Sequence, residues 1–136
     1  MTDRCPFCEI AAGVAWAWRI DENPGAIAFL DVNPASEGHT LVIPRNHARD
    51  IWELNEPDAA AVWELTRLVA QRVRSTFAPA GLTILQSNGE AAWQHVFHVH
   101  VHVVPRWTDD GLRKPWNMIP EDPDRLERVA ERLRQA

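Results

Sequence analysis

No apolar run in this chain approaches the ~20 residues that a membrane-spanning helix needs, and its first residues lack the basic and apolar blocks of a secretory leader. A cytoplasmic protein with no membrane partner is the expectation. Surplus positive charge is missing as well: 14 lysines and arginines face 19 aspartates and glutamates, for a net charge of -5. Non-specific nucleic-acid affinity comes from neutralising phosphates with Lys and Arg, so no nucleic-acid partner is expected, although one local site can still hold a small phosphorylated ligand. Walker loop and dinucleotide fingerprint are both absent, so any phosphate must be held by something else. Repeats and low-complexity stretches are absent. Tyrosine is absent too, against seven tryptophans, and nothing in the sequence explains that imbalance.

What is present is a chain of 136 residues, 46% apolar, long enough for one domain over 1–136 with a core that needs no staples. Its most informative stretch is Phe97-His98-Val99-His100-Val101-His102-Val103-Val104-Pro105. Period-2 alternation predicts a strand over 96–104 whose valines bury and whose three imidazoles share the other side. At ~3.3 Å per residue, His98 and His102 would stand about 13 Å apart, too far to ligate one metal. Imidazole titrates near neutrality, so such a row suits nucleophilic attack, proton transfer or anion contact.

The remaining pattern predicts a helical turn or two over Cys5–Gly13, strands at Trp16–Ile20, Ala26–Asp31, Thr40–Ile43 and Leu82–Gln86, and a closing helix over Asp124–Arg134. From Pro57 to about Phe77, Val62, Leu65, Val69, Val73 and Phe77 form one helical stripe, with Glu64, Arg67, Gln71 and Arg74 opposite. Trp63 and Leu68 fall outside the stripe, which points to a subunit contact or to ordinary exposed hydrophobes. These elements make an α+β domain on a mainly antiparallel sheet.

Both cysteines lie in Cys5-Pro6-Phe7-Cys8, the spacing of a metal knuckle or a redox pair. A redox motif needs a strand before it, for which there is no room. Zinc needs two further ligands, for which His47 and His98 are the candidates; two buried thiols without a metal are the alternative.

The segment from Ser87 through Gln94 and the histidine run to Arg106 resembles the signature of the histidine triad (HIT) family of nucleotide hydrolases and transferases. Ala28–Pro34 and Gly38–His47 look like its other two signature stretches, and Cys5–Ile10 is similar to the N-terminus of its zinc-containing bacterial members. The resemblance implies a HIT-like fold: a five-stranded antiparallel sheet, one long helix, short terminal helices and pairing into a homodimer. It implies hydrolysis of a purine nucleotide conjugate, an adenosine phosphoramidate or a dinucleoside polyphosphate. His100 would attack the α-phosphorus to leave a nucleotidyl-histidine that water resolves, and His102 would contact the phosphate. Structural zinc would sit on Cys5, Cys8, His47 and His98. Asp31 would hold the ribose, Phe7, Ile10, Phe29 and Val32 would wall the base, and Ser87, Asn88 and Gln94 would meet phosphate or leaving group. A nucleotidyltransferase or phosphorylase using the same intermediate, or a non-catalytic nucleotide-binding scaffold, are the alternatives; His102 disfavours the uridylyltransferase branch, which carries glutamine there. Phosphoramidate-hydrolysing members usually have a small residue before the glutamine and a hydroxyl or small residue after it, where this chain has Trp93 and His95. Trp93 could narrow the leaving-group side or stack on a second base, and His95 could donate a proton to the leaving group or lie exposed on a loop.

Overall fold

A computed structural model describes residues 4–136. The elements run α1 (Pro6–Ala11), β1 (Arg19–Glu22), β2 (Ala26–Leu30), β3 (Thr40–Pro44), α2 (Glu56–Phe77), β4 (Gly81–Leu85), β5 (Val101–Arg106) and α3 (Pro123–Arg134). The five strands form one sheet in the order β1-β2-β3-β5-β4, and every neighbouring pair is antiparallel. This is the expected α+β architecture. No helix among the described residues is long and apolar enough to cross a membrane.

Strand alternation divides the core between the two faces of the sheet. On one face Ala26, Ala28, Val42 and Val103 pack against Val62, Leu65, Val69 and Val73 of α2, the stripe that the helical period predicted. Leu65 and Val69 are completely buried, each contributing about 1.5–3 kcal/mol relative to exposure. The helix starts where the Asn55 side chain accepts from the Asp58 amide at 2.9 Å and stops at Ala78, in the left-handed region at φ 45°. On the other face Ile27, Phe29, Leu41 and Ile43 pack against Phe7 of α1. That second face carries the histidines.

Helix α1 has only 6 residues, too few to be stable alone. It ends in a Schellman closure, with the Gly13 amide on Ile10 O and the Val14 amide on Glu9 O, made possible by Gly13 at φ 76°. Gly38, at φ 87°, is required by crowding: a Cβ there would meet Phe77 Cε2 at 2.7 Å. This turn sets the entry to β3 and so the place of His39.

Two predicted strands differ from those observed by more than one residue at an end. The histidine strand begins only at Val101, so His98 and His100 precede it. The β3–β5 ladder stops at Val42↔Val101 because β3 ends on Pro44, which has no N–H to extend it. The Val99 amide instead donates to Ala48 O at 2.7 Å. Nor do only the valines bury: His98 is 0% and His100 8% exposed. The first strand starts at Arg19 instead of Trp16, since Arg19 is the first residue in register with β2, opposite Phe29. Trp16 and Trp18 are left exposed, one ring edge-on to the other.

Candidate active site

The three histidines of the run have different environments. His98 donates its Nε2–H to the Pro44 carbonyl at 2.8 Å, which turns the Nδ1 lone pair towards Cys5, Cys8 and His47. His100 donates its Nδ1–H to the carbonyl of His98 at 2.8 Å, so Nε2 carries the free lone pair. Burial lowers the pKa of His100 below its ordinary value, partly offset by the His98 carbonyl and by Asp31. A neutral imidazole with its distal nitrogen free is the reactive form of a histidine nucleophile.

His102 is oriented by a residue to which the sequence assigned no role. The Ala35 amide donates to Nδ1 of His39 at 2.9 Å. Nδ1 is therefore the acceptor of that ring, and Nε2 carries its proton. Nε2 of His39 lies 2.9 Å from Nδ1 of His102 and donates to it, which leaves the Nε2–H of His102 to act as a donor. Burial first, then His100 and His39, push the pKa of His102 down to about 4. Asp31, His39 and His102 bring their donor atoms close enough to suggest a metal, but the Ala35 amide keeps the Nε2 proton on His39 and removes it as a ligand.

His100 and His102 open onto a cavity of about 490 Å³, the size of a small-molecule site. Phe7, Ile10, Phe29, Asp31 and Val32 line one wall. Phe7 is packed edge-on to both Phe29 (5.5 Å) and His100 (5.2 Å), which ties the place of α1 to the imidazole. The Asp31 carboxylate accepts from the Asn33 amide at 2.8 Å and lies 3.5 Å from His39 Nε2. Leu85 at the end of β4 and Ser87, Trp93 and His95 from the loop after it also line the cavity, with β3 and β5 lying between β4 and β2 in the sheet.

Asn88 and Gln94, expected to meet phosphate or leaving group, are not among the residues lining this cavity. Gln94 is 2% exposed; its oxygen accepts from the Gly89 amide at 2.7 Å, and its amide donates to Arg49 O and Val96 O. Asn88 accepts from the Ile51 amide at 2.7 Å and exchanges two amide bonds with Gln86. Both are spent holding the loop that carries Ser87, Trp93 and His95. Besides the role of His39, nothing in the sequence signalled that Trp16, Trp18 and Leu85, among others, line the cavity.

The donor atoms of Cys5, Cys8, His47 and His98 lie within 4.8 Å of one another. His98 Nδ1 is 3.3 Å from Cys5 Sγ, 3.4 Å from Cys8 Sγ and 3.3 Å from His47 Nδ1. Tetrahedral zinc with ordinary Zn–S and Zn–N bonds spaces its donors about 3.3–3.8 Å apart, so these residues fit the ion. Burial and the adjacent Cys5 push the Cys8 thiol up to about 11. Four protein donors make a closed, structural site that would clamp α1 to the segment after β3 and to the start of the histidine run.

Residues 14–109 match the family model described as the HIT domain. The adenosine 5'-monophosphoramidase of Schizosaccharomyces pombe is 34% identical over 130 residues, covering 95% of each chain. Among solved structures, a HIT family protein from Bacillus anthracis superposes with a TM-score of 0.92 at 32% identity, covering 99% of this chain and 98% of that one. A zinc-bound histidine triad protein from Mycobacterium smegmatis gives 0.75 at 38% identity, covering 90% and 86%. With the HIT domain matching most of the chain and relatives above 30% identical over nearly its whole length, this protein belongs to the HIT family.

Proposed function

We propose that this protein hydrolyses purine nucleotide conjugates through a nucleotidyl-His100 intermediate. The observation that carries the reading is the Nδ1–H of His100 on the His98 carbonyl at 2.8 Å, which leaves Nε2 free and facing a cavity. In the first step the Nε2 lone pair bonds to the α-phosphorus. The bond from phosphorus to the leaving nitrogen or oxygen breaks, its electron pair goes to that atom, and the leaving group departs with a proton taken from solvent. In the second step water adds its oxygen to phosphorus and returns one proton to solvent, the P–Nε2 bond breaks with its electron pair going back to Nε2, and neutral imidazole is regenerated with release of the nucleoside monophosphate. The Nε2–H of His102 would hydrogen-bond a phosphate oxygen in both steps.

Phe7, Ile10, Phe29 and Val32 would hold the base and Asp31 the ribose hydroxyls, since a carboxylate accepts two hydroxyl hydrogen bonds at once. Ser87 would bind phosphate, while Asn88 and Gln94 act by holding its loop. Zinc on Cys5, Cys8, His47 and His98 would supply structure: it fixes α1, and therefore Phe7, beside His100. The monophosphoramidase from S. pombe supports an amine leaving group. The protein would work in the cytoplasm as a single-domain homodimer, with Trp63, 60% exposed on α2, in the subunit contact.

The test is turnover of an adenosine phosphoramidate beside a dinucleoside polyphosphate, with and without added phosphate. Release of AMP that requires His100 supports the reading; nucleoside diphosphate formed from added phosphate would move the protein to the transferases; no turnover of any conjugate would overturn it.

A further inference from the structure

The leaving-group wall of the cavity holds an aromatic pair that the hydrolytic step does not use. Trp93 lines the cavity with His95, Val96 and the two histidines, and its indole stacks on that of Trp116, with ring centroids 6.1 Å apart and planes 23° from parallel. Both rings are largely in solvent, 52% and 63% exposed, an unfavourable place for two of the largest apolar side chains. Trp93 also sits at φ 73°, a left-handed conformation that is strained for a bulky residue. The backbone is held there on both sides. The Trp93 amide donates to Glu90 O, and the buried Gln94 side chain binds Gly89, Arg49 and Val96. Trp116 comes from the irregular segment between β5 and α3 and stacks on Trp93, which nonetheless stays half exposed and lines the cavity.

The residues from α1 and β2 are the ones assigned to the nucleoside, and β5 with His102 lies between β2 and β4 in the sheet, so the group departing from phosphorus is left on the side of β4 and the Trp93 loop. We propose that Trp93, backed by Trp116, is a specificity-determining platform for a flat aromatic ring in the leaving group, which rests on the hydrolase reading given above. Stacking is tolerant of ring identity, so the ring could belong to an aryl-bearing amine or to the second base of a dinucleoside polyphosphate.

The experiment compares kcat/KM for matched pairs in which the departing group does or does not carry a ring. One pair is adenosine phosphoramidates of indolylethylamine and of an alkylamine of similar basicity; the other is diadenosine tetraphosphate and adenosine tetraphosphate. The wild-type protein should favour the ring-bearing member of at least one pair about tenfold, mainly through KM, and the pair that shows it identifies the source of the ring. Trp93→Gly suits the backbone at φ 73° and so folds, as a thermal melt will verify; its ratio should fall to about one. Trp116→Ala should lose part of the ratio, and Trp93→Phe should keep most of it. A wild-type ratio near one in both pairs, or a ratio unchanged in Trp93→Gly, would overturn the platform while leaving the hydrolase reading standing. No turnover of any of the four compounds would overturn both.

Discussion

His39 sets the tautomer of His102. With Nδ1 of His39 accepting from Ala35 and its Nε2–H donating to Nδ1 of His102 at 2.9 Å, the only proton that a neutral His102 carries is on Nε2. Removing the ring in His39→Ala should lower kcat about ten- to a hundredfold, the range over which orienting a catalytic group acts. His39→Gln, whose amide can accept and donate in the same order, should recover part of that loss. Nitrogen-15 shifts of His102 provide the independent check: one tautomer in the native protein and a mixture in His39→Ala.

The histidine pair also predicts how rate and stability depend on pH. Burial depresses the pKa values of both His100 and His102, the latter to about 4, so His102 stays neutral well below the ordinary histidine range and His100 is shifted in the same direction. Single-turnover rates should therefore hold as pH falls through about 6.5, the unperturbed value, and decline only at lower pH. For stability the sign follows from proton counts: below about 6.5 the unfolded chain binds protons that the native rings do not. The contribution is complete above that value and is lost as pH falls from there towards 4, which urea titrations across the window will show.

Metal content tests the clamp on α1. The purified protein should hold one zinc per chain, and Cys5→Ser or Cys8→Ser should lose it. Because a helix this short depends on its tether, loss of the ion should cost at least ~2 kcal/mol, lowering Tm by about 5 °C or more. Activity should fall along with it, since Phe7 packs on His100 at 5.2 Å. Native protein without zinc would contradict the site.

Gln94 separates a structural role from a chemical one. Gln94→Ala leaves the Gly89 amide and the Arg49 and Val96 carbonyls without their partner and should cost about 2–3 kcal/mol, seen as a lower urea midpoint. Rates on conjugates with different leaving groups should fall by a common factor. A loss confined to one leaving group, with unchanged stability, would return Gln94 to direct contact.

Where one periodicity dominated, the sequence was legible: the α2 stripe from Val62 to Val73 is buried as its spacing implied. The histidine alternation told the faces correctly at His102 and Val103 but overstated the strand, because the terminator is Pro44 on a neighbouring strand and not a residue of the run itself. The metal donors were nameable because Cys5 and Cys8 are close in sequence; that His47 and His98 approach each other within 3.3 Å depends on a tertiary contact. His39 was hidden for a related reason. It lies two residues before Leu41, whose partner is His102, and that diagonal exists only once the register is known. The burial of Gln94 and its three backbone partners leave no mark in the sequence.

The central claim is a bond between phosphorus and one nitrogen. Protein quenched in alkali during turnover of an adenosine phosphoramidate, then digested and read by mass spectrometry, should carry adenylate on His100. His100→Ala should show no adduct and a rate at least about a thousandfold lower, with AMP binding retained. Adenylate found on His102, or full turnover by His100→Ala, would contradict the account.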